Sequence, residues 1–277
     1  MATIDSWADM DGAKTGYDVL IVGAGHAGVQ AAASLRQLGY AGSVAIVGEE
    51  ADLPYERPPL SKQYLADEKP FERIVLKPAE FYADRDIDLL SKRRVVGLDA
   101  SARTVALSND TRLCFGTLIW ATGGSPRRLS CDGYQLSGTH AIRTRADIDR
   151  LRGELTTTER VVIIGGGYIG LEVAAALTKA GKRITLLETQ GRVLARVAGE
   201  PLSRFFEAEH RAHGVDVRLG VTVTCIEGNG GRVSGVRLKG GIVLPCEMAI
   251  VGHRHTACGR RTDRCGCRGG GRRRTGR

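Results

Sequence analysis

The feature that most constrains this chain is a strand running straight into a glycine-rich turn and then a helix, and the chain uses it twice. In the first copy, Tyr17-Asp18-Val19-Leu20-Ile21-Val22 reads as a buried strand. It enters Gly23-Ala24-Gly25-His26-Ala27-Gly28, followed by a helical stretch through Ala31, Ala32, Leu35 and Leu38 that Gly39 closes. A second strand, Val44 to Val47, comes next, with Glu49 and Glu50 just beyond it. In the second copy, Val161 to Ile164 leads into Gly165-Gly166-Gly167-Tyr168-Ile169-Gly170. A small-residue helix through Ala174, Ala175 and Ala176 ends near Gly181, and the strand Ile184 to Leu187 delivers Glu188.

Each position has a physical job. Gly23 and Gly165 allow the tight turn, and Gly25 and Gly167 let the backbone approach a pyrophosphate. Gly28 and Gly170 let helix and strand pack closely. The helix N-terminus then offers free N–H groups and a positive dipole end to phosphates, with Tyr168 and Ile169 among the contacts of the second turn. An acid beyond the second strand accepts hydrogen bonds from ribose hydroxyls; Glu188 takes that place in the second copy, and Glu49, with Glu50 as its neighbouring alternative, in the first. A lone glycine pattern is often a turn without a ligand. Two copies, each with its strand, helix and acid, imply two bound nucleotides and an α/β fold of two dinucleotide-binding, Rossmann-like domains. A carboxylate at Glu188 favours a free 2′-hydroxyl over a 2′-phosphate, hence NADH over NADPH. Arg192 either softens that preference or is a solvated loop charge.

The net charge of +9 invites a nucleic-acid reading, so its location matters. From Gly252 to Arg277 there are nine arginines and one acid, Asp263, so the body before them is almost neutral. No apolar run approaches the ~20 residues that span a bilayer, and residues 1–16 carry three aspartates and no signal-like stretch. Cys114, Cys131, Cys225 and Cys246 are scattered without a Cys-x-x-Cys or Cys-x4-Cys pair, which reads as reduced, buried small hydrophobes and excludes a dithiol relay. No metal site is expected, and a cytoplasmic location follows from the same features.

Between the two glycine motifs lies Leu53-Pro54-Tyr55-Glu56-Arg57-Pro58-Pro59-Leu60-Ser61-Lys62. Together with Ala121-Thr122-Gly123 and the run from Gly165 to Glu172, it closely resembles the putidaredoxin, rubredoxin and Rieske-oxygenase ferredoxin reductases, over roughly Tyr17 to Val251. The Pro-Pro-Leu-Ser-Lys segment is the specific part. The resemblance implies FAD in the first domain, NADH in the second, and electrons passed singly to a [2Fe–2S] ferredoxin or a rubredoxin. It also implies that Arg57 and Lys62 contact FAD, with Lys62 close to the flavin ring, that Ala121, Thr122 and Gly123 contact FAD, that Arg127 contacts its phosphate or ribityl chain, and that the Val95 backbone lies near the adenine. Lys62 suits stabilisation of charge on a reduced flavin. Glu172 reads either as a group near the nicotinamide paired with Lys62, or as a simple helix cap. Pro58-Pro59 is expected to hold an extended backbone against an aromatic ring. Hydride transfer then depends mainly on stacking and orientation.

Beyond Val251 the pattern departs from the family, which continues with a Gly-Ile-Pro-type turn, a second FAD segment containing Ala-x-Gly-Asp, and a C-terminal domain that helps dock the ferredoxin. The expected organisation is a disordered leader at 1–16, an FAD-binding domain at 17–126, an NAD-binding domain at 127–246, and the start of a returning FAD segment followed by an aberrant Arg/Gly/Cys-rich tail at 247–277. The FAD domain is therefore expected to be incomplete, without a C-terminal interface domain, and FAD retention and activity to be impaired. Removing one base from codons for His253-Arg254-His255-Thr256-Ala257 regroups them, with suitable third bases, as Ile-Gly-Ile-Pro, so a frameshift is the expected origin of the tail. Zinc at His253, His255, Cys258, Cys265 and Cys267 matches no common ligand spacing. Arg272-Arg273-Arg274 suits an anionic surface, but the tail has no aromatic residue to stack on bases, so nucleic acid is not expected as a partner. Two alternatives stand beside the flavoenzyme: a non-enzymatic NAD(H)-binding fragment and a basic-tail nucleic-acid-binding protein.

Overall fold

The computed structural model describes residues 14–126, 129 and 131–252, and the backbone of 255–257. Two compact units divide them. One contains the described residues up to Tyr55 with Leu76–Gly123, and the other contains Glu56–Val75 with the described residues from Gly124 to Thr256.

The first unit begins with β1 (Gly16–Val22), α1 (His26–Gln37) and β2 (Val44–Val47). Gly39 follows α1 in the left-handed conformation (φ +78°), which ends the helix as its position in sequence predicts. Next come the short α2 (Ala79–Ala83), β3 (Ile87–Leu90), β4 (Val95–Asp99), β5 (Thr104–Leu107) and β6 (Arg112–Trp120). They form one sheet in the order β3-β2-β1-β6-β5-β4. The β3, β2, β1 and β6 neighbours are parallel, and β4 and β5 return antiparallel. Strand β2 shows why the run is apolar throughout. Val44 and Ile46 face the α1 and α2 residues Val29, Ala32 and Tyr82, while Ala45 and Val47 pack with Val105, Leu107, Leu113 and Phe115.

The second unit repeats the plan. After the short β7 (Gly124–Pro126) come β8 (Thr139–Ala141), α3 (Arg145–Leu155), β9 (Arg160–Ile164), α4 (Tyr168–Lys179) and β10 (Arg183–Leu187). They are followed by α5 (Glu200–Ala212), β11 (Asp216–Arg218), β12 (Val223–Asn229), β13 (Arg232–Leu238), β14 (Val243–Pro245) and β15 (Met248–Val251). The parallel sheet runs β11-β10-β9-β15-β8, and β12, β13 and β14 form an antiparallel layer over one face. Ile226, Val233, Val236, Leu238 and Leu244 of that layer bury against Val162, Ile164, Leu187, Ala249 and Val251. Strand β15 lies inside this sheet, bonded to β9 on one side and β8 on the other. Met248–Val251 therefore belong to the second unit, whereas the sequence pattern places the start of a return to the first at Glu247. Four fully buried apolar residues, Met248 to Val251, need two sheet neighbours and two covered faces, and this position supplies them.

Candidate functional site

The two glycine turns are built by the same hydrogen bonds. At the first, Gly23 N–H donates to Val47 O at 2.8 Å and Ala121 N–H to Val22 O at 2.8 Å; Val29 N–H, the first full helical bond, reaches Gly25 O at 3.0 Å. At the second, Gly165 N–H donates to Leu187 O at 2.7 Å, Gly252 N–H to Ile164 O at 3.0 Å, and Leu171 N–H to Gly167 O at 3.0 Å. Gly23 and Gly165 hold φ +120° and +118°, where a side chain is strained. The last glycine of each turn has a steric role: a Cβ on Gly28 would stand 1.9 Å from Gly23 O, and one on Gly170 1.9 Å from Gly165 O. The middle pair is different, for a Cβ on Gly25 or Gly167 would meet nothing within 4 Å. Each is the N-cap of its helix, and the open space beside it leaves the backbone accessible to a ligand.

Helix chemistry points the same way. Neither α1 nor α4 has a side-chain cap or an acid in its first turn. By contrast α3 carries a complete capping box, Thr144 with Asp147, and α5 has Glu200 in its first turn. The two helices that begin at glycine turns thus carry neither a side-chain cap nor a first-turn acid, which leaves their first N–H groups open to a phosphate.

The acids differ between the turns. Glu188 follows β10 directly; its Oε2 accepts from Gly166 N–H at 2.8 Å and its Oε1 from Gln190 N–H at 2.8 Å and Thr189 Oγ1 at 3.1 Å. In the first unit the corresponding place, directly after β2, is Gly48. Ala24 requires this, since a Cβ on Gly48 would stand 2.7 Å from Ala24 Cβ. The second turn reverses the pair, with Gly166 under the Cβ of Glu188. The carboxylates of the first unit come later: Glu49 is exposed and pairs with Arg94 at 3.3 Å, while Glu50 accepts from Tyr55 Oη at 2.5 Å. Val95 opens β4, and Ala121, Thr122 and Gly123 follow β6 beside the first turn. Arg127 lies outside the described residues, as do the side chains of His253 and His255 and the tail cysteines Cys258, Cys265 and Cys267.

The Pro-Pro-Leu-Ser-Lys segment belongs to the second unit. Pro58–Ser61 forms a 3-10 turn, not the extended run expected from its prolines. Proline at the first positions of a turn has the right φ and no N–H to leave unpaired, so the pair starts this turn rather than preventing it. The turn packs on α4, burying Pro59, Leu60 and Ser61. Lys62 Nζ lies 3.1 Å from Glu172 Oε1, and Ser61 Oγ donates to Glu172 Oε2 at 2.6 Å. Glu172 sits beyond the first turn of α4 and spends its carboxylate on these two residues; it is not a helix cap. Four further contacts pin the segment: Tyr64 Oη to Asp149 Oδ1 at 2.6 Å, Arg57 to Arg143 O at 3.0 Å, Lys179 to Glu68 at 2.5 Å, and an ion pair between Arg152 and Asp67. Ser61 escaped the sequence reading because a serine inside a motif has no signal of its own until its partner is known.

Arg192 is half-buried and bonded within the loop and to α5. Its guanidinium donates to Ala195 O at 3.0 Å, Ala198 O at 2.8 Å and Ser203 Oγ at 2.6 Å, tying the loop after Glu188 to α5. Among the described cysteines all four are free, and Cys246 alone is buried, its thiol pushed up to about 12 by desolvation. Cys114, Cys131 and Cys225 are half-buried, so three of the four depart from the expected buried state. No group of three or more His, Cys, Asp or Glu that could hold a metal occurs among the described residues, and none of their helices is long and apolar enough to cross a membrane. An open cavity of about 490 Å³ in the second unit is lined by Arg160, Lys182, Arg183, Gly214 and Asp216. It lies at the starts of β9 and β10, the end of the sheet opposite the glycine turn, and takes no part in this site.

The model of the pyridine nucleotide-disulphide oxidoreductase family matches residues 17–268. A ferredoxin–NAD(P)(+) reductase of a Sphingomonas species is 56% identical over 238 residues, which cover 86% of this chain and 58% of that protein. The ferredoxin reductase subunit of 5,5'-dehydrodivanillate O-demethylase from a Sphingobium species is 52% identical over 237 residues, covering 85% and 58%. Among solved structures, the ferredoxin reductase for the CYP199A2 system from Rhodopseudomonas palustris superposes with a TM-score of 0.81 at 38% identity, covering 85% of this chain and 58% of that one. The chain thus spans a little under three fifths of the length of these relatives. With its two glycine turns, its mixed α/β sheets and a family match over most of its length, this chain belongs to the pyridine nucleotide-disulphide oxidoreductase family.

Proposed function

We propose that the chain is the dinucleotide-binding part of an NADH-dependent, FAD-linked oxidoreductase whose electron acceptor is a [2Fe–2S] ferredoxin or a rubredoxin. The observation that carries it is the duplicated turn with open space over Gly25 and Gly167 and, behind them, helix ends with neither a side-chain cap nor a first-turn acid. A protein holding one nucleotide has no physical need for the second such turn.

On this reading Gly23, Gly25, Gly28 and the start of α1 hold the FAD phosphates, and Glu49, whose exposed pair with Arg94 is easily exchanged, takes the ribose. Ala121, Thr122, Gly123, Arg57, Lys62, Val95 and Arg127 complete the contacts to FAD. Gly165, Gly167, Tyr168, Ile169, Gly170 and the start of α4 take the NADH pyrophosphate. Glu188 takes its adenosine ribose and disfavours a 2′-phosphate. FAD supplies the exchange of a two-electron hydride for single electrons. Lys62 offers an ammonium, and Glu172 keeps that ammonium in place while Ser61 holds Glu172. The acceptor is the kind of protein that the reductases above are named for, and the working location is the cytoplasm.

The test is to add FAD to the purified chain, remove the unbound excess, and follow flavin absorbance on anaerobic addition of NADH. Bleaching by NADH, then reduction of an added [2Fe–2S] ferredoxin, supports the reading. Binding of NADH without flavin favours the alternative of a non-enzymatic nucleotide-binding unit, and binding of neither overturns both.

A further inference from the structure

Polar side chains lie on the buried face of α5, while its outer face mixes apolar with charged residues. Ser203, Glu207 and His210 are buried, while Leu202 and Phe205 are 46% and 58% exposed. A carboxylate only 3% exposed is costly unless its oxygens are fully engaged. Those of Glu207 are engaged by a loop and two guanidiniums. Oε1 accepts from Val193 N–H at 3.1 Å, and Oε2 pairs with Arg204 at 2.9 Å and Arg211 at 3.7 Å.

That loop leads directly to the second glycine turn. Leu194, the next residue, donates its N–H to Gly166 O at 2.8 Å, and Gly166 in turn gives its N–H to Glu188 Oε2 at 2.8 Å. Leu194 is buried and holds φ +52°, a conformation that a branched side chain adopts only when its surroundings impose it. Gly166 is therefore held on both sides, by Glu188 on its N–H and by Leu194 N–H on its C=O.

We propose that Glu207 is a positioning residue for the adenosine half of the dinucleotide bound at the second turn. It holds Val193, and through Leu194 it fixes Gly166, whose N–H orients Glu188 toward the ribose diol. The inference rests on the reading that NADH binds this turn.

Isothermal titration of the whole chain with NADH and, separately, with ADP-ribose tests it. Glu207→Ala orphans a buried N–H, and the dissociation constants for both ligands are expected to rise by the same factor, roughly tenfold, with unchanged stoichiometry. Glu207→Gln keeps the acceptor for Val193 and is expected to stay within about threefold of wild type. A merely structural residue would instead lower the binding-competent fraction and leave the affinity of the remainder intact. Wild-type affinity in a folded Glu207→Ala chain overturns the inference alone. Failure of the wild-type chain to bind either ligand overturns the NADH reading and the inference together. If Glu207→Ala does not fold, Ser203→Ala, which cuts one of the bonds by which Arg192 ties the same loop to α5, carries the test; unchanged affinity there overturns the inference as well.

Discussion

Lys62 Nζ stands 3.1 Å from Glu172 Oε1, an ion pair that joins the segment between the two glycine motifs to the helix that follows the second. The side chains are 44% and 26% exposed, and a pair so accessible to water contributes at most about 1 kcal/mol to folding. Stability alone is a weak reason for it.

Lys62→Met is accordingly expected to leave the melting temperature nearly unchanged and to slow reduction of bound flavin by NADH about tenfold or more. Stopped-flow bleaching of the flavin measures the rate. An unaltered rate would remove Lys62 from the chemistry.

Gly170 and Gly167 should separate folding from binding. Gly170→Ala drives a methyl group to within 1.9 Å of Gly165 O, so the helix must shift, at a cost on the order of 1–3 kcal/mol. Gly167→Ala meets nothing within 4 Å and its φ of −83° suits alanine, so stability should fall by no more than about 1 kcal/mol, from alanine being a poorer N-cap. It should nevertheless weaken NADH binding, because the methyl group occupies the approach of the pyrophosphate. Urea unfolding curves paired with NADH titrations check both halves, and full NADH affinity in Gly167→Ala would contradict the assignment of this turn.

Glu188→Ala should move the NADPH-to-NADH ratio of dissociation constants toward NADPH by roughly tenfold, through loss of a ribose acceptor and of repulsion toward a 2′-phosphate. The released Gly166 N–H should also cost stability, on the order of 1 kcal/mol. Arg192, tied to Ser203 and two carbonyls, is not positioned to compensate. Parallel titrations with the two cofactors decide it; an unchanged ratio refutes the specificity role.

The second unit should lose stability on acidification. Burial depresses the pKa of His140 below its ordinary 6.5 despite the opposing pull of Glu154, and burial likewise depresses that of His210. The unfolded chain therefore binds more protons between the folded and unfolded values, so stability rises with pH through that window and is lost as pH falls below about 6.5. His140→Leu should flatten part of the fall in melting temperature between about pH 7 and pH 5. An identical slope in the variant would show that His140 is protonated without consequence for folding.

The turns were legible because their cause is local. Strand β2 was bounded correctly at Val44 and Val47, and the helix stops at Gly39 and Gly181 were readable, since side-chain period and positive φ are written in adjacent residues. Arg192 was not legible: whether a guanidinium meets solvent, a cofactor or Ser203 depends on where α5 packs. The same holds for Glu207, an acid in a helix whose charge pattern suggests an exposed face. It is buried because its carboxylate is engaged by the Val193 N–H and by Arg204 and Arg211.

By itself, the sequence determined that this chain makes two strand–turn–helix units with glycines at the turns, because backbone sterics and side-chain period act over a few residues. Only the tertiary structure decided that Pro58–Ser61 is a 3-10 turn seated on α4 and that Met248–Val251 sits inside the second sheet. It alone showed that Gly48, not an acid, takes the place that Glu188 holds in the other unit. These depend on which distant segments meet and on a clash as small as the Cβ of Ala24, and no local pattern encodes either.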